Sequence, residues 1–165
     1  SEQEQDREEL KRAVEERTGI KTQFILVTNK QLLKGLATDP LYEMMLSTCI
    51  AKKRFIYKTE REVNYKLLDL YLLKSKTLLD HFHRFNGDEK WYLVRNLVCI
   101  SLFLQNKKVN RENLEREIKK YFGTGSKDIK ENMIREKIFL FKYKGLYRKT
   151  FMSLMNAIKN GAKQK

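Results

Sequence analysis

From Glu89 to Gln105 the chain carries Trp91, Leu93, Val94, Leu97, Val98, Ile100, Leu102 and Leu104, with little charge between them. At helical spacing these residues cover most sides of one cylinder, and a helix apolar nearly all round is stable only when other elements surround it. The stretch before it repeats Val63, Leu67, Leu68, Leu70, Tyr71, Leu73, Leu78, Leu79 and Phe82 at three- and four-residue intervals. That pattern predicts a long amphipathic helix, opened by the capping-box sequence Thr59-Glu60-Arg61-Glu62. One proline and seven glycines in 165 residues leave little material for a turn-rich β-sandwich, while 41% apolar residues suffice for a core. The expected fold class is mainly α: a compact helical domain of about seven helices with a small β element. It is read as a single domain over residues 1–165, with a subdivision into an N-terminal helical part (1–85) and a basic C-terminal part (86–165) as the alternative.

Local signals place the other elements. Residues 5–18 read as a surface helix ended by Gly19, and Ile20 to Val27 as one short strand around Phe24, Ile25 and Leu26. Thr28 or Asn29 caps a short helix through Leu33 and Leu36. Asp39-Pro40 starts another, expected to run to Lys53 or beyond, because the carboxylate accepts an orphan amide hydrogen bond and proline suits the first helical position. Asn86-Gly87-Asp88 is a turn, with Asp88 as the cap of the central helix. Asn110 caps a helix that stops at Gly123, and Ser126 caps a basic helix to about Lys137. Beyond it two readings stay open: a β-hairpin of 138–143 with 146–152 around Lys144-Gly145, or two helices broken at Gly145, with helix from Met152 to Asn160 in either case.

Charge is the second constraint. The chain carries 35 Lys plus Arg against 21 Asp plus Glu, a formal +14. Residues 1–50 are net −2, residues 51–100 net +5 and residues 101–165 net +11, with Lys159, Lys163 and Lys165 at the end. Such a field concentrates polyanions at the surface, and nucleic acid is the commonest of them. The C-terminal third interleaves Phe139, Phe141, Lys142, Tyr143, Lys144, Tyr147, Arg148 and Lys149. Cations pair with phosphates while outward-facing rings stack on bases, a mixture that suits single strands or RNA. Without an apolar run of roughly 18 residues, and with a charged N-terminal stretch, the chain reads as soluble and intracellular, cytoplasmic or nuclear, with no membrane partner. Cys49 and Cys99 read as buried thiols.

The element order core helix, capped helix, three-residue turn, basic helix and basic hairpin resembles a winged helix-turn-helix. That resemblance covers about a third of the chain and rests on element order alone. It implies that Lys127, Lys130, Asn132 and Arg135 face nucleic acid, with Lys142, Lys144, Arg148 and Lys149 on the wing. Gly123-Thr124-Gly125-Ser126-Lys127 invites comparison with phosphate-binding loops but lacks their spacing, and a glycine C-cap followed by a serine N-cap explains all five residues. His81-Phe82-His83 is similar to the His-hydrophobic-His metal motif of rolling-circle nucleases and relaxases. That chemistry needs both imidazoles on one face of a strand, whereas residues two apart on a helix point about 200° apart.

No zinc spacing, nucleophile elbow or dinucleotide fingerprint accompanies these motifs, so no catalytic residue, metal or cofactor is assigned. The leading expectation is a non-enzymatic nucleic-acid-binding domain, for DNA or RNA. The alternatives are a protein-interaction or scaffold module docking a partner through the N-terminal half and, more weakly, a metal-dependent nuclease at His81 and His83.

Overall fold

The structure, a computed structural model, describes residues 2–22, 27–49 and 60–162. These divide into two compact units, residues 1–32 and 33–165. The first holds α1 (Glu2–Thr18), which ends where Gly19 turns left-handed at φ +67°. Gln31 and Thr28 cap the start of α2 (Asn29–Thr38) reciprocally: the Gln31 amide nitrogen of the backbone donates to Thr28 Oγ1 and the Thr28 N–H to Gln31 Oε1. Of the strand expected over 20–27, residues 23–26 lie outside the described residues, and Ile20, Lys21, Thr22 and Val27 are not in a strand.

In the second unit α3 spans Pro40–Ser47, capped as expected by Asp39, whose carboxylate accepts from the Leu41 N–H at 2.8 Å. It is shorter than the sequence suggests, closing at Thr48, and residues 50–53 lie outside the described residues. Thr59 does too. The long helix α4 (Tyr65–His81) starts instead at Asn64, which accepts from the Leu67 N–H, and passes into a 3-10 turn at Phe82–Arg84.

The central helix α5 (Gly87–Leu104) is capped by Asn86 in a reciprocal box with Glu89, not by Asp88. Leu93, Val94, Leu97, Val98, Cys99, Ile100, Leu102 and Phe103 are all buried along it, as its all-round apolar character requires. Then come α6 (Arg111–Phe122), with Asn110 as N-cap and left-handed Gly123 as C-cap, and α7 (Ser126–Lys130), only five residues long and preceded by Gly125 as its cap. Around α5 pack α3, α4, α6, α7 and the last helix.

That last helix, α8 (Glu136–Ala162), overturns the small β element and the winged helix-turn-helix. Residues 136–162 form one continuous 27-residue helix, and there is no strand among the described residues. Its buried positions are Phe139, Tyr143, Leu146, Thr150 and Leu154, a three- and four-residue spacing that one helical face demands. Rings and lysines do alternate over 141–144, but the stripe that packs is the helical one. Phe139 and Tyr143 stack against Phe122 of α6, and Tyr143 donates its buried hydroxyl to the Ser75 carbonyl of α4 at 2.9 Å. Burial pushes that phenol far above its usual range. Gly145 does not break the helix, because its Cα faces open space and the glycine penalty of about 1 kcal/mol is small against the packing on three neighbouring helices.

Of the thiols only Cys99 is buried, with desolvation raising it to about 12, whereas Cys49 is exposed. No described helix is long and apolar enough to cross a membrane.

Candidate nucleic-acid interface

The eight residues expected to face nucleic acid do not share one surface. Asn132 is a structural acceptor: it adopts a left-handed backbone at φ +55°, and its Oδ1 takes a 2.8 Å hydrogen bond from Lys90 Nζ. The Lys90 side chain is buried and lies 4.0 Å over the Phe82 ring, with no carboxylate beside it among the described residues. Asn132 is the hydrogen-bond partner that lets an ammonium stay in that position. Replacing Asn132 by glycine keeps the left-handed backbone comfortable and removes only the acceptor. Stability is expected to fall by about 1–3 kcal/mol, read as a lower urea midpoint, with nucleic-acid affinity unchanged; equal midpoints would contradict the role assigned to Asn132.

Lys142 is also occupied. Its Nζ donates at 3.2 Å to the Phe122 carbonyl, one of the orphan acceptors at the end of α6. Lys149, two turns further along α8, donates to the Tyr121 hydroxyl and lies over that ring. Lys127 sits 3.9 Å from Glu131, and Lys130 lies over Trp91. Arg135 is exposed immediately before α8, its carbonyl accepting from the Phe139 N–H.

The glycine turn is not an open anion cradle. Asp128 Oδ2 accepts from the Gly125 N–H at 3.1 Å and the Thr124 hydroxyl at 2.6 Å, and these two bonds hold its carboxyl below the usual range, the Thr124 bond foremost. Glu115 takes the Ser126 N–H. The donors a phosphate would use are therefore engaged by the chain's own carboxylates.

The two histidines are likewise placed against the metal reading. His81 ends α4 and His83 lies in the 3-10 turn, not on a strand, and His83 Nε2 is 3.0 Å from Glu136. No group of three or more potential metal-ligating side chains gathers among the described residues.

Arg135, Lys144 and Arg148 remain without a side-chain partner among the described residues, the last two one turn apart on α8. Lys137, Phe141, Lys144, Arg148 and Met152 follow one another at intervals of four, three, four and four, so they lie along the face opposite the buried stripe. Phe141 is 81% exposed, and no cation or second ring covers it among the described residues. Lys137, Lys144 and Arg148 are exposed and make no ion pair among the described residues. Lys137 to Arg148 spans about 16 Å along the axis. Six cations against the single carboxylate of Glu136 make α8 strongly basic along its length. Lys137 was missing from the sequence expectation, though its spacing to Phe141 and Lys144 is visible once 136–162 is read as one helix.

Elsewhere, the half-exposed rings of Tyr92, Tyr121 and Trp91 carry cations, whereas Tyr65 and Phe151, 46% and 37% exposed, carry none among the described residues. Lys74 and Arg95 bracket the Tyr92 ring, and hydrogen bonds from Asn96 and Lys74 lower its phenol. Comparison with known proteins finds no matching family model, no matching curated protein and no matching solved structure.

Proposed function

We propose that this chain is a non-enzymatic nucleic-acid-binding protein whose contact surface is the outward face of α8. The observation that carries this reading is the row Lys137, Lys144 and Arg148, exposed and without carboxylate partners among the described residues, in a chain of formal charge +14. An unpaired surface cation is free to replace a condensed counterion on a phosphate, and the release of that counterion supplies sequence-independent affinity. The site is narrower than the sequence expectation: Lys142, Lys149 and Asn132 have intramolecular partners, while Arg135, just before α8, and Lys144 and Arg148 on it have none among the described residues.

The test is binding of labelled DNA and RNA over a salt series from about 50 to 300 mM, for the parent chain and a Lys137→Glu/Lys144→Glu/Arg148→Glu variant. Loss of three phosphate contacts is expected to flatten the log–log salt slope by about 2 to 3 and to weaken binding at every salt concentration. No binding by the parent near physiological salt, or an unchanged slope in the variant, would overturn the proposal.

A protein-interaction module is the second reading, and one feature favours it. Met133 and Ile138, 70% and 50% exposed, line a hollow of about 190 Å³ together with Phe122, Phe139, Thr124 and Arg135. Exposed apolar residues grouped in this way are a common mark of a protein contact. A partner bound there would leave the salt series silent and be lost on Ile138→Asp.

A further inference from the structure

Resting on the reading above, the geometry points to single-stranded nucleic acid as the ligand of the α8 face, with an unpaired base stacked on Phe141. A phenylalanine 81% exposed in the middle of a 27-residue helix is a conspicuous cost in water, since burying such a ring is worth roughly 1.5–3 kcal/mol. Its neighbours along the face narrow what can cover it. Lys137 lies one turn before, Lys144 one turn after and Arg148 two turns after, all in the same strip as the ring and not on the flanks of an apolar stripe.

Three kinds of anionic partner meet this arrangement differently. A bilayer that took up the Phe141 ring would have to draw Lys144 and Arg148 towards hydrocarbon with it, because amphipathic interfacial helices keep their cations on the opposite face or at its edges. A duplex offers phosphates to the cations but keeps its bases stacked on one another, leaving the ring against the sugar-phosphate surface. A single strand offers both partners at once: a π-face for the ring and, on either side of that base, phosphates for Lys137 and Lys144. Of the other rings, Tyr92, Tyr121 and Trp91 carry lysine or arginine over them, and Tyr65 and Phe151, 46% and 37% exposed, are less open than Phe141 and stand outside its row of cations.

The experiment titrates the full chain against fluorescently labelled single-stranded RNA and DNA of mixed sequence and against the corresponding duplex, at near-physiological salt. Phe141→Ala, Phe141→Trp and Lys144→Glu/Arg148→Glu are measured beside the parent. Phe141 is 81% exposed and outside the hydrophobic core, so Phe141→Ala is expected to keep the parent's helix content by circular dichroism.

The expected results are tighter binding of the single strands than of the duplex, a loss of about tenfold in single-strand affinity for Phe141→Ala, and near-parent affinity for Phe141→Trp. The tryptophan variant should in addition show emission quenched by single strands beyond the change seen for the parent's Trp91. The duplex should lose little on Phe141→Ala. If Phe141→Ala binds single strands as the parent does while Lys144→Glu/Arg148→Glu weakens them, the stacking inference falls and phosphate contact stands. If no nucleic acid binds, both fall, and binding of phosphatidylserine-containing vesicles that is lost on Phe141→Ala would assign the face to a membrane surface instead.

Discussion

Alanine at position 87 is expected to destabilise the protein by about 3 kcal/mol, although helix propensity alone favours alanine over glycine by about 1 kcal/mol. Gly87 is the first residue of α5 and is buried. A Cβ built there would lie 1.7 Å from the carbonyl oxygen of Lys130 and 2.5 Å from its carbon, at the last residue of α7. The obstacle is backbone, so no side-chain rotation relieves it, and α7 must shift off α5. Ile129, fully buried one residue earlier, and the Lys90–Asn132 hydrogen bond two residues later would move with it.

The clash therefore carries away a packed side chain and a buried polar contact, which is why the upper end of the overpacking range applies. For a chain of this length the melting temperature should fall by roughly 6–12 °C, measured by circular dichroism against Asp88→Ala, whose side chain is exposed. A rise in melting temperature would mean that propensity wins and that α5 and α7 do not approach as closely as described.

Gly87 also marks the boundary of what the sequence discloses. Asn86-Gly87-Asp88 reads as a turn with a cap, and a turn and a cap are there, but the reason glycine is required lies 43 positions away in Lys130. Elements set by neighbours in sequence were legible: Asp39 before Pro40, Asn110 opening α6, Gly123 closing it, and α5 as the buried centre. Each rests on a cap, a φ value or a local period.

The C-terminal third supports both a hairpin and a helical reading because two periods coexist there. Phe141, Lys142, Tyr143 and Lys144 alternate as a strand would, while Phe139, Tyr143, Leu146, Thr150 and Leu154 recur as a helix does. The second set wins because all five of its members are buried against α4, α5 and α6, whereas Ile138 and Phe141 stay in solvent. The candidate site suffered for the same reason. Charge points to the C-terminal third of the chain, but Lys142, Lys149 and Asn132 find partners 20, 28 and 42 residues away, contacts that have no sequence signal.

Arg61 illustrates the largest such contact, and its removal is expected to cost more than any other single polar change. The guanidinium donates to Glu43 Oε2 at 2.7 Å, to the Phe103 carbonyl at 3.1 Å and to the Lys107 carbonyl at 2.6 Å, and it stacks 4.8 Å over the Phe103 ring. Glu43 Oε1 in turn accepts from the Val109 N–H at 3.0 Å. One side chain thus ties the segment before α4 to α3, to the end of α5 and to the connector into α6.

Both charges are largely removed from water, at 17% and 13% side-chain exposure, so losing one partner leaves the other uncompensated. Arg61→Ala is expected to destabilise by about 3–5 kcal/mol, the range for breaking a buried pair from one side. Arg61→Met keeps the stem over Phe103 and removes the charge, and should cost less. Glu43→Gln keeps an acceptor for Val109 and should cost least of the three.

If desolvated charge sets the cost, the double variant Arg61→Met/Glu43→Gln will be more stable than the sum of its single variants allows, by about 1–3 kcal/mol in a urea-unfolding cycle. Strict additivity would instead place the cost in the backbone hydrogen bonds to Phe103 and Lys107.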